Sequence, residues 1–214
     1  MPRPDVSEKR RTEIVDAAAR VFSRKGFNGA SMDDIVQETG VSKGLLYWYF
    51  KGKDAIIAAI LERLFRPEVN RTRSLASAPG TARQRLISLG ESVIKEIELA
   101  ERFMPITFEF YALAFRNKTV RKFFQGFFRI FVQGIREVIE QGIRAGEFRD
   151  VDSYEIAVAM TSSFEGALLL WVFDPRLVQR EAQIRLAVEL ILRGIEKKGG
   201  ADASKSPRAR RSGS

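Results

Sequence analysis

With 214 residues and 45% hydrophobic content, the chain is long enough for one small module plus a larger domain with its own core. It has no cysteine and no histidine, which excludes disulfides, thiolate nucleophiles and Cys-ligated zinc, and removes the commonest general base and pH switch. An enzyme is therefore not expected, and no cofactor or metal is implied. The net charge of +9 favours an anionic partner, yet the excess is spread: ten basic residues face eight acidic in 1–54, 21 face 18 in 55–197, and five face one in 198–214. Charge alone does not locate a site. No run of some 18 apolar residues marks a membrane span, and MPRPDVSEKRR lacks a signal peptide's apolar segment, so the expectation is a cytoplasmic protein with no membrane partner.

Residues 1–6, with Pro2 and Pro4, read as a loose basic arm. From about Ser7 the apolar residues Ile14, Val15, Ala18, Ala19 and Phe22 recur at helical spacing, and Gly26 stops this first helix. Phe27 is expected to tuck beneath the next two helices. Ser31 and Asp34 form a capping box, Met32, Ile35 and Val36 give the second helix one apolar face, and Gly40 ends it in the left-handed conformation. Ser42 caps a third, short helix from Lys43 to Tyr49, with Leu46 and Phe50 spaced to point inward. Tyr47, Trp48 and Tyr49 are successive, about 100° apart, so at least one large ring must be exposed. Short helix, glycine turn and polar-aromatic helix make a helix-turn-helix whose second helix suits a DNA major groove.

The run GVSKGLLYWYFKGKDAI resembles the signature of the tetracycline-repressor (TetR) family, roughly G-V-S-x-x-x-L-Y-x-H/Y-F-x-x-K-x-x-L. Gly40, Val41, Ser42, Leu46, Tyr47, Tyr49, Phe50 and Lys53 fall on its defining positions. Tyr49 stands where many members carry histidine, and Ile56 replaces a common leucine. Upstream, KGFNGASMDDIVQETGV is also similar to the family pattern. The resemblance implies an all-α fold, with a three-helix DNA-binding domain at 1–54 and a helical ligand-binding and dimerisation domain at 55–197; the basic, Gly/Ser/Ala-rich composition of 198–214, without an apolar face, reads as a disordered tail. It further implies a homodimeric repressor, released from a palindromic operator in double-stranded DNA by a small, largely apolar effector. Phosphate contacts carry over to Ser31, Ser42, Tyr47, Tyr49 and Lys53, and base or groove contacts to Lys43, Gly44, Leu45 and Trp48. Two alternatives stay open: a helical carrier of apolar ligands, and a DNA-binding protein that responds to no ligand.

A fourth helix is expected from Lys53 to about Phe65, stopping before Pro67, with NRTRSLASAPG as the break after it. Further helices are expected over 81–102, with Leu86, Leu89, Val93, Ile94 and Ile97 on one side, then 103–116, 118–144, 153–173 and about 176–196. Residues 103–131 hold nine of the sixteen phenylalanines, more than two helices need to pack. With the family resemblance, this density points to a ligand cavity lined by some of Phe108, Tyr111, Phe127, Phe128, Phe131, Phe164 and Trp171. Glu91, Glu109 and Glu165, flanked by apolar residues, are either solvated carboxylates or complements to a cation. The last helix is apolar on two sides: Ile184, Val188, Ile191 and Ile195 on one, Leu186, Ala187 and Leu190 around the other. A helix buried on two sides needs a second subunit, with Ala187, Leu190 and Ile191 at the interface.

Overall fold

The computed structural model describes residues 4–100 and 104–197, with side chains over 7–95 and 107–197. Among the described residues the regular structure is helical: α1 Pro4–Gly29, α2 Met32–Thr39, α3 Lys43–Tyr49, α4 Lys53–Leu75, α5 Ala82–Ala100, α6 Met104–Ala114, α7 Lys118–Arg144, α8 Ser153–Phe173 and α9 Arg180–Ile195. The tail at 198–214 and the side chain of Ile97 lie outside the described residues.

Local chemistry sets the first three elements. Gly26 takes φ 67 and ψ 170, which breaks α1 and leaves one further turn before α2. Ser31 Oγ accepts the Asp34 N–H at 3.1 Å and Asp34 accepts the Ser31 N–H at 2.9 Å, closing the capping box. Gly40 caps α2 at φ 68, and Ser42 Oγ accepts the Leu45 N–H at 3.2 Å to start α3. Ile35, Leu46 and Phe50 turn inward and join Ile14, Phe22, Ile57 and Leu61 in one core. Phe110, Val120, Phe124 and Phe127 enter the same core from α6 and α7, so the reading module is not packed on itself alone.

The fourth helix does not stop before Pro67; it runs on to Leu75. A proline inside a helix loses one backbone bond and crowds the preceding turn, but here burial outweighs that cost. Thr72 and Leu75 beyond it are buried, and α4 crosses α7 closely at Gly134. A methyl group on Gly134 would lie 2.5 Å from Thr72 Cγ2 and 2.8 Å from the Thr72 carbonyl oxygen. The chain then turns through Gly80 at φ 99 into α5.

A second core is built by α5, α7, α8 and α9 around Leu86, Leu89, Ile135, Val138, Met160, Ile184, Val188 and Leu192. The last helix begins at Arg180 rather than near 176. The Asp174 carboxylate accepts the Arg176 N–H at 2.9 Å and the Leu177 N–H at 3.3 Å, which favours a turn over an earlier helix start. By length and composition α8 would be able to cross a membrane, although it carries no unbroken apolar run. It is packed between α7 and α9, burying Ala157, Met160, Thr161, Phe164, Ala167 and Leu168.

Candidate nucleic-acid interface and effector cavity

The outward face of α3 is formed by Ser42, Lys43, Gly44, Leu45, Tyr47 and Trp48, all exposed, while Leu46 between them is fully buried. Trp48 is 58% exposed, a large ring left in solvent, nearly perpendicular to the Tyr49 ring with centroids 4.6 Å apart. A methyl group on Gly44 would touch nothing in the chain. Lys43 Nζ lies 2.7 Å from the Asp33 carboxylate of α2, which raises the lysine's pKa. Ser31, also exposed, is committed to its capping box, and the Tyr49 hydroxyl donates to Ser7 Oγ at 3.4 Å.

Lys53 departs from the simplest expectation. Its Nζ donates to the Phe27 carbonyl at 2.7 Å and the Ala30 carbonyl at 3.0 Å, and lies 5.2 Å from the Phe27 ring centroid. The side chain thus pins the α1–α2 turn to the start of α4, with one ammonium proton left for an outside acceptor. Ionic contacts brace the rest of the module. Arg20 and Arg24 of α1 both bind Glu38 of α2, at 3.0 and 2.5 Å, and hold its pKa down, Arg24 more than Arg20.

A cavity of about 1080 Å³ lies between α1, α4, α5, α6, α7 and α8. Four of the rings expected there line it: Tyr111, Phe127, Phe131 and Phe164. Phe108, Phe128 and Trp171 do not. Phe128 stands one residue, about 100°, around α7 from Phe127 and lines a separate recess of about 700 Å³ with Thr72, Gln133 and Tyr154. Trp171 is seven residues, about 10.5 Å, along α8 from Phe164, and the Arg180 guanidinium lies 4.0 Å over its ring. Phe108 packs its ring against Tyr111 at 5.7 Å and joins the second core instead.

One buried pair of polar side chains lines the cavity. The Tyr111 hydroxyl donates to Glu165 Oε2 at 3.0 Å. Burial raises the pKa of the Glu165 carboxyl, an effect the tyrosine's hydrogen bond opposes, and burial with the nearby carboxylates raises that of Tyr111. The other two carboxylates behave differently: Glu91 is bound by Arg185 at 2.7 and 2.9 Å, and Glu109 is exposed. The wall toward the reading module is α1 itself, through Val15, Asp16, Ala19, Arg20, Ser23 and Arg24.

Two family models match this architecture: "Bacterial regulatory proteins, tetR family" over residues 14–60, and "BetI-type transcriptional repressor, C-terminal" over 82–195, more than half of the chain. The chain belongs to the tetR family. As a member it is a DNA-binding transcriptional regulator, with α2 and α3 as its helix-turn-helix. The uncharacterized HTH-type transcriptional regulator YfiR of Bacillus subtilis is 30% identical over 144 residues, covering 67% of this chain and 70% of that protein. Two solved structures share the fold at 23% identity. The putative transcriptional regulator from Pseudomonas aeruginosa has a TM-score of 0.78, covering 88% of this chain and 90% of that one. The complex of SmeT, repressor of a Stenotrophomonas maltophilia multidrug efflux pump, with triclosan has a TM-score of 0.76, covering 89% and 93%.

Several cavity residues of this tetR-family chain escape a reading of the sequence. Phe65, whose ring centroid lies 4.8 Å from that of Phe127, lines the cavity. Apolar spacing with Ile57 and Leu61 marks its face as inward, but only the packing of α4 on α7 shows that it meets Phe127. The α1 residues carry no signal of cavity lining, since their role follows from how two modules dock.

Proposed function

We propose that this chain is a homodimeric repressor whose two α3 helices read the half-sites of a palindromic operator and let go when a small molecule enters the cavity. Half-sites in successive major grooves require the two heads to stand about 34–36 Å apart. Lys43, Gly44, Leu45 and Trp48 take the bases or groove wall, and Ser31, Ser42, Tyr47, Tyr49 and the remaining Lys53 proton take phosphates. The exposure of Trp48 and Leu45 on a helix whose other face is buried supports that assignment.

Association is supported by the apolar surface of the last two helices. Leu169, Leu170 and Phe173 of α8 and Leu186 and Leu190 of α9 are exposed in the single chain, Phe173 at 79%. Such a surface suits a four-helix bundle with the same pair from a second copy. Ala187 and Leu190 belong to that face; Ile191 packs largely against its own core and reaches the interface only at its margin.

One observation carries the switch: Arg20 and Arg24 line the cavity and also hold Glu38 of the helix-turn-helix. A ligand that changes the α1 wall changes the seat of α2, and one that binds the two arrangements unequally shifts the population between them. The test is fluorescence anisotropy of the full chain on inverted repeats from the DNA flanking its gene. A bound repeat released by a compound that also raises the melting temperature supports the reading. Binding that no stabilising compound reverses rejects the switch, and no bound repeat rejects the repressor.

A further inference from the structure

The Tyr111–Glu165 pair carries information about what the cavity holds. Glu165 lines the cavity together with Phe65, Tyr111, Phe127, Phe131 and Phe164 and, among the described residues, receives one hydrogen bond, from Tyr111, and makes no ion pair with a lysine or arginine. A carboxylate in such surroundings is costly unless paired. Where the described residues supply no counter-charge, a ligand can. The rings around it have the matching property: Phe65, Phe127, Phe131 and Phe164 present π-faces or edges, and a cation within about 6 Å of a ring face is attracted to it.

We propose that the cavity takes an organic cation, its protonated or quaternary nitrogen set against Glu165 and its apolar body among Phe65, Phe127, Phe131 and Phe164. This rests on the reading of the cavity as the effector site. The positive side chains on the wall do not oppose it strongly. Arg20 and Arg24 are paired with Glu38, and Arg63 with Asp16 at 2.9 Å. Arg71 is also engaged and Lys95 is exposed. Water and salt screen charges at that rim over about 8 Å. If these rim charges governed recognition instead, the cavity would prefer an amphipathic anion.

Three probes with the same phenylbutyl body separate the cases: 4-phenylbutyltrimethylammonium, its neutral isostere with carbon in place of nitrogen, and the anion 5-phenylvalerate. Binding to the full chain is measured by calorimetry, with thermal shift as a second readout. The ammonium is expected to bind about tenfold or more tighter than either other probe. Glu165→Gln, which keeps an acceptor for Tyr111 and the side-chain volume, is expected to remove about tenfold of the ammonium's affinity and leave the neutral isostere unchanged. Unchanged ammonium binding in Glu165→Gln, or equal or tighter binding of the isostere or the anion, overturns the cation while leaving an effector cavity in place. If none of the three binds, the cation assignment is overturned and the effector reading loses its support as well.

Discussion

The Phe110 ring of α6 stands edge-on to Phe27, their centroids 6.1 Å apart. Phe27 in turn directly follows the Gly26 break in α1, with its carbonyl held by Lys53 of α4. A fully buried residue of the effector half is therefore part of the reading module's core. Phe110→Ala is expected to lower unfolding stability by about 3–5 kcal/mol, the range for an aromatic ring lost from a core. Phe110→Leu, which fills more of the site, should keep the fold yet weaken the effect of ligand on operator affinity. Urea denaturation measures the first outcome and anisotropy with and without ligand the second. If Phe110→Leu transmits ligand response as fully as the parent chain, this contact is not on the route.

Lys53 has two roles that one pair of measurements separates. As a phosphate contact alone, its removal would reduce operator affinity and lower the salt slope by about one without moving the melting temperature. Because Nζ also donates to the Phe27 and Ala30 carbonyls, Lys53→Ala is expected to cost stability too, roughly 1–3 kcal/mol for charged hydrogen bonds. An unchanged melting temperature would mean that the two carbonyls are satisfied as well by water.

Asp34 gives a prediction in pH. Its carboxyl is pulled from 3.8 to about 2, first by the Lys25 hydrogen bond and then by those from Ser31. A depressed carboxylate contributes stability that is present above its unfolded pKa and lost as pH falls through its folded pKa. Asp34→Asn should therefore lower the melting temperature near neutral pH, and the gap from the parent chain should close as pH drops from 3.8 toward 2. A gap that persists unchanged at the acid end would point to lost packing instead of lost charge.

Leu190 and Ile191 are neighbours with different surroundings, so the same substitution separates folding from association. Leu190 is 59% exposed in the single chain, whereas Ile191 packs against the core. Leu190→Glu is expected to give a folded monomer in sedimentation, with helical content retained. Ile191→Glu should destabilise the chain itself, because it buries a carboxylate without a partner. A Leu190→Glu chain that sediments as a dimer at micromolar concentration would move the interface elsewhere.

The elements nearest the DNA were legible in the sequence because their causes are local. A serine and an aspartate three residues apart cap α2 through bonds inside one turn, and Gly40 ends it because only glycine takes φ 68 without strain. Leu46 and Phe50 are inward by helical spacing alone. Tertiary structure decided what depends on another element's position. The passage of α4 through Pro67 follows from the burial of Thr72 and Leu75 against α7, which no local propensity encodes. The same continuation brings Glu68 and Arg71 to the cavity, while a rotation of about 100° along α7 takes Phe128 out of it. Lys53 Nζ finds carbonyls 26 and 23 residues away, and Arg20 and Arg24 find Glu38 across a bend. Glu165 was visible as a carboxylate among apolar residues, but its role depends on Tyr111, 54 positions distant, closing the other side of the cavity. Caps and turns are set by bonds within a few residues; a cavity is the space several helices leave when each buries its own apolar face.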